Sequence, residues 1–276
     1  MTNLLAQKPE LNDIPRTHHM GNPLYAAAVN GRRQFVEILL ARGADVNYPA
    51  GVYRHSLQAA CFVGQTAIVR LLLDAGAEVN AKGGHFGNAF QATAYSESLE
   101  IVQMLFQAGA IVEAKGGHFN TALQAASFNG HDEIVKYLLE KGASINDTGG
   151  CWGSSLQAAS ISNRVVVATL LLEHGADVTI QPPILSKGSA LRIAVICSFM
   201  SMVKVLLTAS GHETNRKEWA LTRKFPLELV REHDEKYKNK PTNIPKEWRL
   251  LREILAMLDV YAKDHGIEIE KEEVEI

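Results

Sequence analysis

The sequence predicts an all-α solenoid, a stack of about six helix-turn-helix units instead of one globular core. Two markers recur every 33 residues in constant register with each other, as a row of near-identical units requires. The first marker is a Gly-Ala pair, at Gly43-Ala44, Gly76-Ala77, Gly109-Ala110, Gly142-Ala143 and Gly175-Ala176. The second is Leu24-Tyr25-Ala26-Ala27, Leu57-Gln58-Ala59-Ala60, Phe90-Gln91-Ala92-Thr93, Leu123-Gln124-Ala125-Ala126 and Leu156-Gln157-Ala158-Ala159. Such a stack has a long surface whose exposed positions vary without disturbing the fold.

Each unit contains a short helix, a tight turn and a second helix, as the fourth unit shows. Thr121 suits an N-cap, because its hydroxyl accepts from the unpaired N–H groups of the first helical turn. Gly130 suits the left-handed position that ends this helix. The second helix is predicted from the apolar face formed by Ile134, Val135, Leu138 and Leu139. Gly142 is expected to end it.

Two units depart from this pattern at the turn between their helices. Glu97 and Asn163 stand where Gly31, Gly64 and Gly130 fall in the other units. Asparagine tolerates the left-handed conformation, whereas glutamate adopts it at a higher cost. A different turn is therefore expected at Glu97.

The sixth unit is interpreted as a degenerate last repeat of the array. Its marker, Leu191-Arg192-Ile193-Ala194, follows the previous one after 35 residues instead of 33, and the loop before it contains Pro182 and Pro183. The predicted organisation is an N-terminal segment at 1–20, the repeat array at 21–211, and a C-terminal helical cap with an acidic tail at 212–276.

The repeated motifs resemble those of the ankyrin repeat. Asn22-Pro23-Leu24-Tyr25 and Gly43-Ala44-Asp45-Val46-Asn47 match the Thr-Pro-Leu-His and Gly-Ala-Asp-Val-Asn patterns of that family. The Gly-Gly-aromatic motif before Leu-Gln-Ala-Ala is similar to ankyrin arrays common in filamentous fungi. The usual His is replaced by glutamine, at Gln58, Gln91, Gln124 and Gln157. Because an amide both donates and accepts, these side chains are expected to bridge the backbone locally. The resemblance also implies hairpin loops, here called fingers, between the units.

Composition excludes several classes of function. Hydrophobic residues make up 46% of the chain, which argues against disorder. A formal net charge of -2 gives no electrostatic footprint for nucleic acid or an anionic membrane, and no apolar run is long enough for a membrane span. Cys61, Cys151 and Cys197 are odd in number and scattered, which fits reduced thiols in the cytoplasm or nucleus.

A helix is predicted from about Pro245 to His265, ended by Gly266. Its apolar side comprises Trp248, Leu251, Leu255 and Leu258, with Ile254, Met257 and Tyr261 beside them. One interpretation is a cap over the apolar face of the last repeat, which solenoids require. The other is a helix that docks a partner or a second copy of the chain. A further helical stretch is predicted from Asn215 to Tyr237.

Two columns of equivalent residues are the candidate partner-binding site. The first is Val29, Phe62, Tyr95, Phe128, Ile161 and Ile196, which by the resemblance faces the concave surface. The second lies on the fingers and comprises Tyr53, Phe86, Phe119 and Trp152. Together they predict an aromatic groove for an extended peptide or a hydrophobic ligand. The alternative is that these rings pack on one another and stiffen the array.

A third column, on the fingers, contains His85, His118 and Cys151. These residue types bind zinc, but ligands of one ion lie within about 2.3 Å of it. Equivalent residues of neighbouring repeats are expected about 10 Å apart, the spacing of packed helices, so they should not converge. No metal and no cofactor are predicted, and His85 and His118 remain candidate partner contacts.

Catalytic motifs are absent from the sequence, including the Gly-x-Ser-x-Gly elbow, the phosphate-binding loop and the His-Glu-x-x-His helix. The leading prediction is therefore a non-catalytic scaffold that binds a protein or peptide through its concave face and fingers. The alternative is a small-molecule binder or unusual enzyme with a pocket between the aromatic surface and the C-terminal helices. A third possibility is self-association through the C-terminal helix.

Overall fold

The structure, a computed structural model, describes residues 21–181, 188–209, 222–224, 226–227 and 246–267. The helices are α1 Pro23–Val29, α2 Arg33–Ala41, α3 Ser56–Val63, α4 Thr66–Asp74, α5 Ala89–Ser96, α6 Leu99–Gln107, α7 Ala122–Asn129, α8 Asp132–Glu140, α9 Ser155–Ile161, α10 Val165–Glu173, α11 Ala190–Ile196, α12 Met200–Ala209 and α13 Lys246–Asp264. The predicted stretch from Asn215 to Tyr237 lies largely outside the described residues, as do the segment 1–20 and the tail after Ile267.

The helices form a two-layered solenoid, which confirms the predicted fold class. The first helices of the units, α1, α3, α5, α7, α9 and α11, pack side by side in one layer, and the second helices form the other. Small residues of the first layer, such as Ala59, Ala92 and Ala125, are fully buried between neighbouring units. The core therefore runs along the whole array instead of closing into a globule.

The first helix of the fourth unit begins at the predicted cap, Thr121, and α9 begins at an equivalent cap, Ser154. Thr121 and Ser154 each accept a bond from the backbone N–H three residues on, and the side chains of Gln124 and Gln157 accept from the N–H of the cap residue in return. These reciprocal bonds form capping boxes. Gly130 ends α7 in the left-handed conformation with φ of 86°, as predicted.

The expectation of a different turn at Glu97 is wrong. Glu97 ends α5 in the left-handed conformation with φ of 74°, nearly the same as the 76° of Gly64 in the preceding unit. The Glu97 side chain is exposed, and its Oε1 lies 3.9 Å from Nδ1 of His131. Asn163 also adopts a positive φ, of 54°, as its tolerance for this region predicts.

Side-chain amides join each unit to the one that follows it. The Nε2 atoms of the four register glutamines donate to main-chain carbonyls 23 residues further on, in the pairs Gln58 to Ala81, Gln91 to Ala114, Gln124 to Asp147 and Gln157 to Ile180. Gln91, Gln124 and Gln157 each donate to a second carbonyl at the end of the next finger. The predicted bridging by these amides is therefore present, and it extends between repeats.

The C-terminal helix α13 packs against α12, the second helix of the last repeat. Ile254 and Leu258 are fully buried in the core that continues from the array, while Leu251 and Leu255 contact Leu227. The observed bounds agree with the helix predicted from Pro245 to His265. Of the predicted apolar side, Leu251, Leu255 and Leu258 are buried within the chain, and the cap interpretation stays a prediction.

Candidate functional site

Seven aromatic side chains form a continuous line along four repeats, here called the aromatic strip. The members are Tyr53, Phe62, Phe86, Tyr95, Phe119, Phe128 and Trp152. Finger residues and helix residues alternate along it, so that the finger rings Phe86 and Phe119 each pack between two rings at the ends of first helices. The structure thus brings the two predicted columns together.

The ring separations are those of favourable aromatic packing. The centroids of Tyr53 and Phe62 are 4.7 Å apart, and the separation from Phe62 to the finger ring Phe86 is 5.1 Å. Phe86 lies 5.0 Å from Tyr95 on its other side. The line continues from Tyr95 through Phe119 and Phe128 to Trp152 at 5.2, 5.3 and 5.0 Å. Aromatic pairs at such separations stabilise the fold beyond the burial of their area.

The rings differ in exposure. Phe86 and Phe119 are only 4% and 3% exposed, so these two candidate contacts pack inside the array, as the stiffening alternative expects. The other five rings of the strip are half-buried. Each of those five is held by its neighbours and still presents part of its surface to solvent. The strip therefore has a buried back and an accessible front.

Glycine allows the fingers to approach one another this closely. The second glycine of each Gly-Gly pair has a positive φ, and a Cβ at Gly84 would lie 2.6 Å from the carbonyl oxygen of Tyr53. A Cβ at Gly117 would overlap the carbonyl group of Phe86 on the preceding finger. Side chains at these positions are therefore incompatible with the observed stacking of the fingers.

The expected separation of about 10 Å between His85 and His118 is wrong. Their rings stack with centroids 4.9 Å apart, because the N–H of His118 donates to the carbonyl of His85 and draws the fingertips together. Cys151 continues the contact, with its Sγ 3.3 Å from Nδ1 of His118. In the described ranges, no group of three or more His, Cys, Asp and Glu side chains is placed to hold a metal ion.

Ile161, the remaining candidate, lies half-buried at the end of α9, one repeat beyond Phe128. Sequence reasoning missed Tyr25, which is 3% exposed and accepts a bond from the N–H of Tyr53 through its hydroxyl, at 3.2 Å. Burial raises the pKa of the Tyr25 phenol. Tyr25 occupies the repeat position that Gln58 occupies in the next unit, and both side chains bridge to the following finger. This equivalence was the signal in the sequence that could have identified Tyr25.

A groove of about 690 Å³ lies on the other layer, between α4 and α6. Its lining includes Arg70, Asp74 and Glu100. This is not the position of the alternative pocket, which was expected between the aromatic surface and the C-terminal helices. Among the described helices, none has the length and apolar character needed to cross a membrane.

Comparison with known proteins places the chain in a family. The family model described as ankyrin repeats (3 copies) matches residues 1–83, 57–149 and 89–182. The chain therefore belongs to the ankyrin-repeat family. Among solved structures, the crystal structure of the human ASB11 ankyrin repeat domain is similar, with 28% identity and a TM-score of 0.62 over 70% of this chain and 86% of that one. No curated protein matches.

Ankyrin repeats are generally protein–protein interaction modules, and the family is generally non-catalytic. These general properties agree with the leading prediction from the sequence. The resemblance to fungal arrays stays a prediction.

Proposed function

We propose that this protein is a non-catalytic scaffold that binds one segment of a partner protein along the front of the aromatic strip. The contacts are the exposed parts of Tyr53, Phe62, Tyr95, Phe128 and Trp152. The observation that carries this proposal is their arrangement: half-buried rings in an unbroken line, supported from behind by the buried rings of Phe86 and Phe119.

Rigidity supports a binding role for these rings. A side chain that is already held by its neighbours loses little conformational entropy when a partner docks. Tyrosine and tryptophan are also over-represented among the residues that contribute most to binding energy. The strip therefore offers apolar contact area at a low entropic cost.

His85, His118 and Ile161 border the strip and are proposed as its rim. His85 is exposed at a fingertip, and Ile161 lies beyond the last aromatic ring. We also propose a cytoplasmic or nuclear setting, which is supported by the presence of Cys61, Cys151 and Cys197 as thiols.

A displayed library of random peptides provides a defined probe for this site. Peptides selected on the wild-type protein are titrated against a variant with Phe62→Gln, Tyr95→Gln and Phe128→Gln, which removes ring surface but keeps part of each side chain. The variant is expected to bind at least about tenfold more weakly, a loss of about 1.4 kcal/mol or more.

The matched control is Phe35→Gln, because Phe35 is 62% exposed on α2, in the other layer. This variant should bind the selected peptides as the wild type does. Circular dichroism checks that the triple variant remains helical. Selected peptides that bind the folded triple variant with unchanged affinity would contradict the proposed site.

A further inference from the structure

The second helix of the first repeat leaves open an apolar face that the later repeats bury. Phe35 on α2 is 62% exposed. The equivalent residues of the later repeats are at most 1% exposed, and they are Ile68, Ile101, Ile134, Val167 and Met202. Leu39, one turn further along α2, is half-buried. Its equivalents are fully buried, and they are Leu72, Leu105, Leu138, Leu171 and Leu206. Phe35 and Leu39 are here called the α2 face.

The difference in burial follows from the position of α2 in the array. Each second helix from α4 to α12 packs against the second helix of the repeat before it. The described residues begin at Gly21, so α2 has no such neighbour among them. Because the first repeat otherwise follows the pattern of the later ones, the occupant that fits the α2 face is the end of another second helix.

The chain contains such a sequence before α1, within the segment 1–20 that lies outside the described residues. Residues 4–12 read Leu-Leu-Ala-Gln-Lys-Pro-Glu-Leu-Asn, and residues 39–47 read Leu-Leu-Ala-Arg-Gly-Ala-Asp-Val-Asn. Both contain the two leucines, the alanine, an acidic residue, an aliphatic residue and the asparagine in the same order and spacing. Lys8 and Pro9 replace the Gly-Ala pair, and proline is common just after the end of a helix.

The length of the chain allows residues 4–12 to reach the α2 face. Ten positions separate Asn12 from Asn22, the N-cap of α1. Eight positions separate Asn47 from His55, the N-cap of α3. The connection before α1 is therefore longer than the finger that joins the first two repeats in the structure.

We propose that residues 4–12 dock on the α2 face as the end of a second helix, and that they cover the N-terminal end of the array. Leu4 packs on α2 as Leu39 packs on α4. Asn47 donates to the carbonyl of Gly76 and accepts from the N–H of Glu78 in the next repeat. Asn12 makes the equivalent bonds to Gly43 and Asp45. A solenoid needs such a covering element, because its terminal unit lacks one neighbour.

The first test compares Leu4→Ser with Gln7→Ser in the 276-residue chain. Leu4 is equivalent to leucines that are buried in the later repeats, whereas Gln7 is equivalent to Arg42 and Ala75, which are exposed. Leu4→Ser should lower the melting temperature by about 4 °C or more, because it removes a buried apolar side chain. Gln7→Ser should leave the melting temperature unchanged. An unchanged melting temperature in Leu4→Ser would overturn the proposal.

Hydrogen exchange locates the contact on α2. In Leu4→Ser, the amides of α2 should exchange at least about tenfold faster than in the wild type, because the helix loses its covering segment. The amides of α6, two repeats further on, should exchange at the wild-type rate. Equal acceleration in both helices would mean a general loss of stability and would contradict docking on the α2 face.

A second copy of the chain is the competing occupant of the α2 face. Sedimentation should show a monomer for the wild type and for Phe35→Ser. A wild-type dimer that Phe35→Ser converts to a monomer would overturn docking of the chain's own segment.

Docking of residues 4–12 is independent of partner binding at the aromatic strip. The α2 face belongs to the layer of second helices, and the strip lies on first helices and fingers. Leu4→Ser should therefore bind the selected peptides as the wild type does, so that the two proposals can fail separately.

Discussion

At the scale of single residues, an asparagine register after the second helices stabilises the turns between repeats. Asn47 donates to the carbonyl of Gly76 and accepts from the N–H of Glu78. Asn80 and Asn146 repeat both bonds in their own units. The third unit has Glu113 at this position, and its carboxylate accepts from the N–H of Ser144 at 2.8 Å. A carboxylate has no N–H to give to the carbonyl of Gly142.

Glu113→Asn is therefore expected to stabilise the protein. The amide keeps the acceptor for Ser144 and adds a donor for Gly142, a gain of about 1 kcal/mol in the free energy of unfolding. Urea denaturation measures it. The reverse change, Asn80→Asp, removes the corresponding donor to Gly109 and should cost a similar amount. A lower free energy of unfolding in Glu113→Asn would contradict a stabilising role for the hydrogen bond to the carbonyl of Gly142.

At the scale of elements, the fingers are the least predictable of the described parts of the chain, and they carry four of the seven rings of the aromatic strip. The motif Gly-Gly-aromatic indicates a turn, but not that neighbouring fingertips share main-chain hydrogen bonds. That pairing follows from the close approach at Gly84 and Gly117. It explains why rings expected about 10 Å apart are stacked.

Gly117→Ala tests this close approach, with Gly109→Ala as its control. Both glycines have a positive φ, of 64° and 92°, but only a Cβ at Gly117 meets a neighbouring finger. Both variants carry the strain of the left-handed conformation. Gly117→Ala should lose about 1–3 kcal/mol more in unfolding free energy, because the fingers must move apart. Equal losses of unfolding free energy in the two variants, measured by urea denaturation, would mean that the fingers can move apart without a cost in stability.

The depth of each aromatic side chain was also beyond sequence reasoning. Tyr95 and Phe119 carry the same kind of ring at two repeated positions, yet one is half-buried and the other 3% exposed. Burial here depends on how finger rings insert between helix rings. The period predicts which residues are equivalent, because equivalent residues recur every 33 positions. The period does not indicate which face of an aromatic ring is covered by the neighbouring ring.

At the scale of the whole molecule, α13 packs against α12, the second helix of the last repeat. Terminal units of a solenoid lack one neighbour and need a covering element. Ile254 is fully buried in the core that continues from the array, whereas Val260 on the same helix is 60% exposed. The two interpretations of this helix, a cap or a surface for self-association, therefore predict different effects of substitutions at these two residues.

Ile254→Asp is expected to lower the free energy of unfolding by about 3 kcal/mol or more, because it removes buried apolar contacts and introduces a carboxylate there. Val260→Asp should leave stability within about 0.5 kcal/mol of the wild type. Thermal denaturation and sedimentation are measured for both. Loss of self-association with unchanged stability in Ile254→Asp would instead favour a helix that joins two copies.

The amide bonds between repeats give the array a direction. Each glutamine of the register donates toward the repeat that follows it in the chain, from Gln58 to Ala81 and onward to Gln157 and Ile180. A ribosome delivers the repeats in the same order, N-terminal first. During synthesis, the glutamine of each repeat therefore gains its partner carbonyls only when the following repeat has been made.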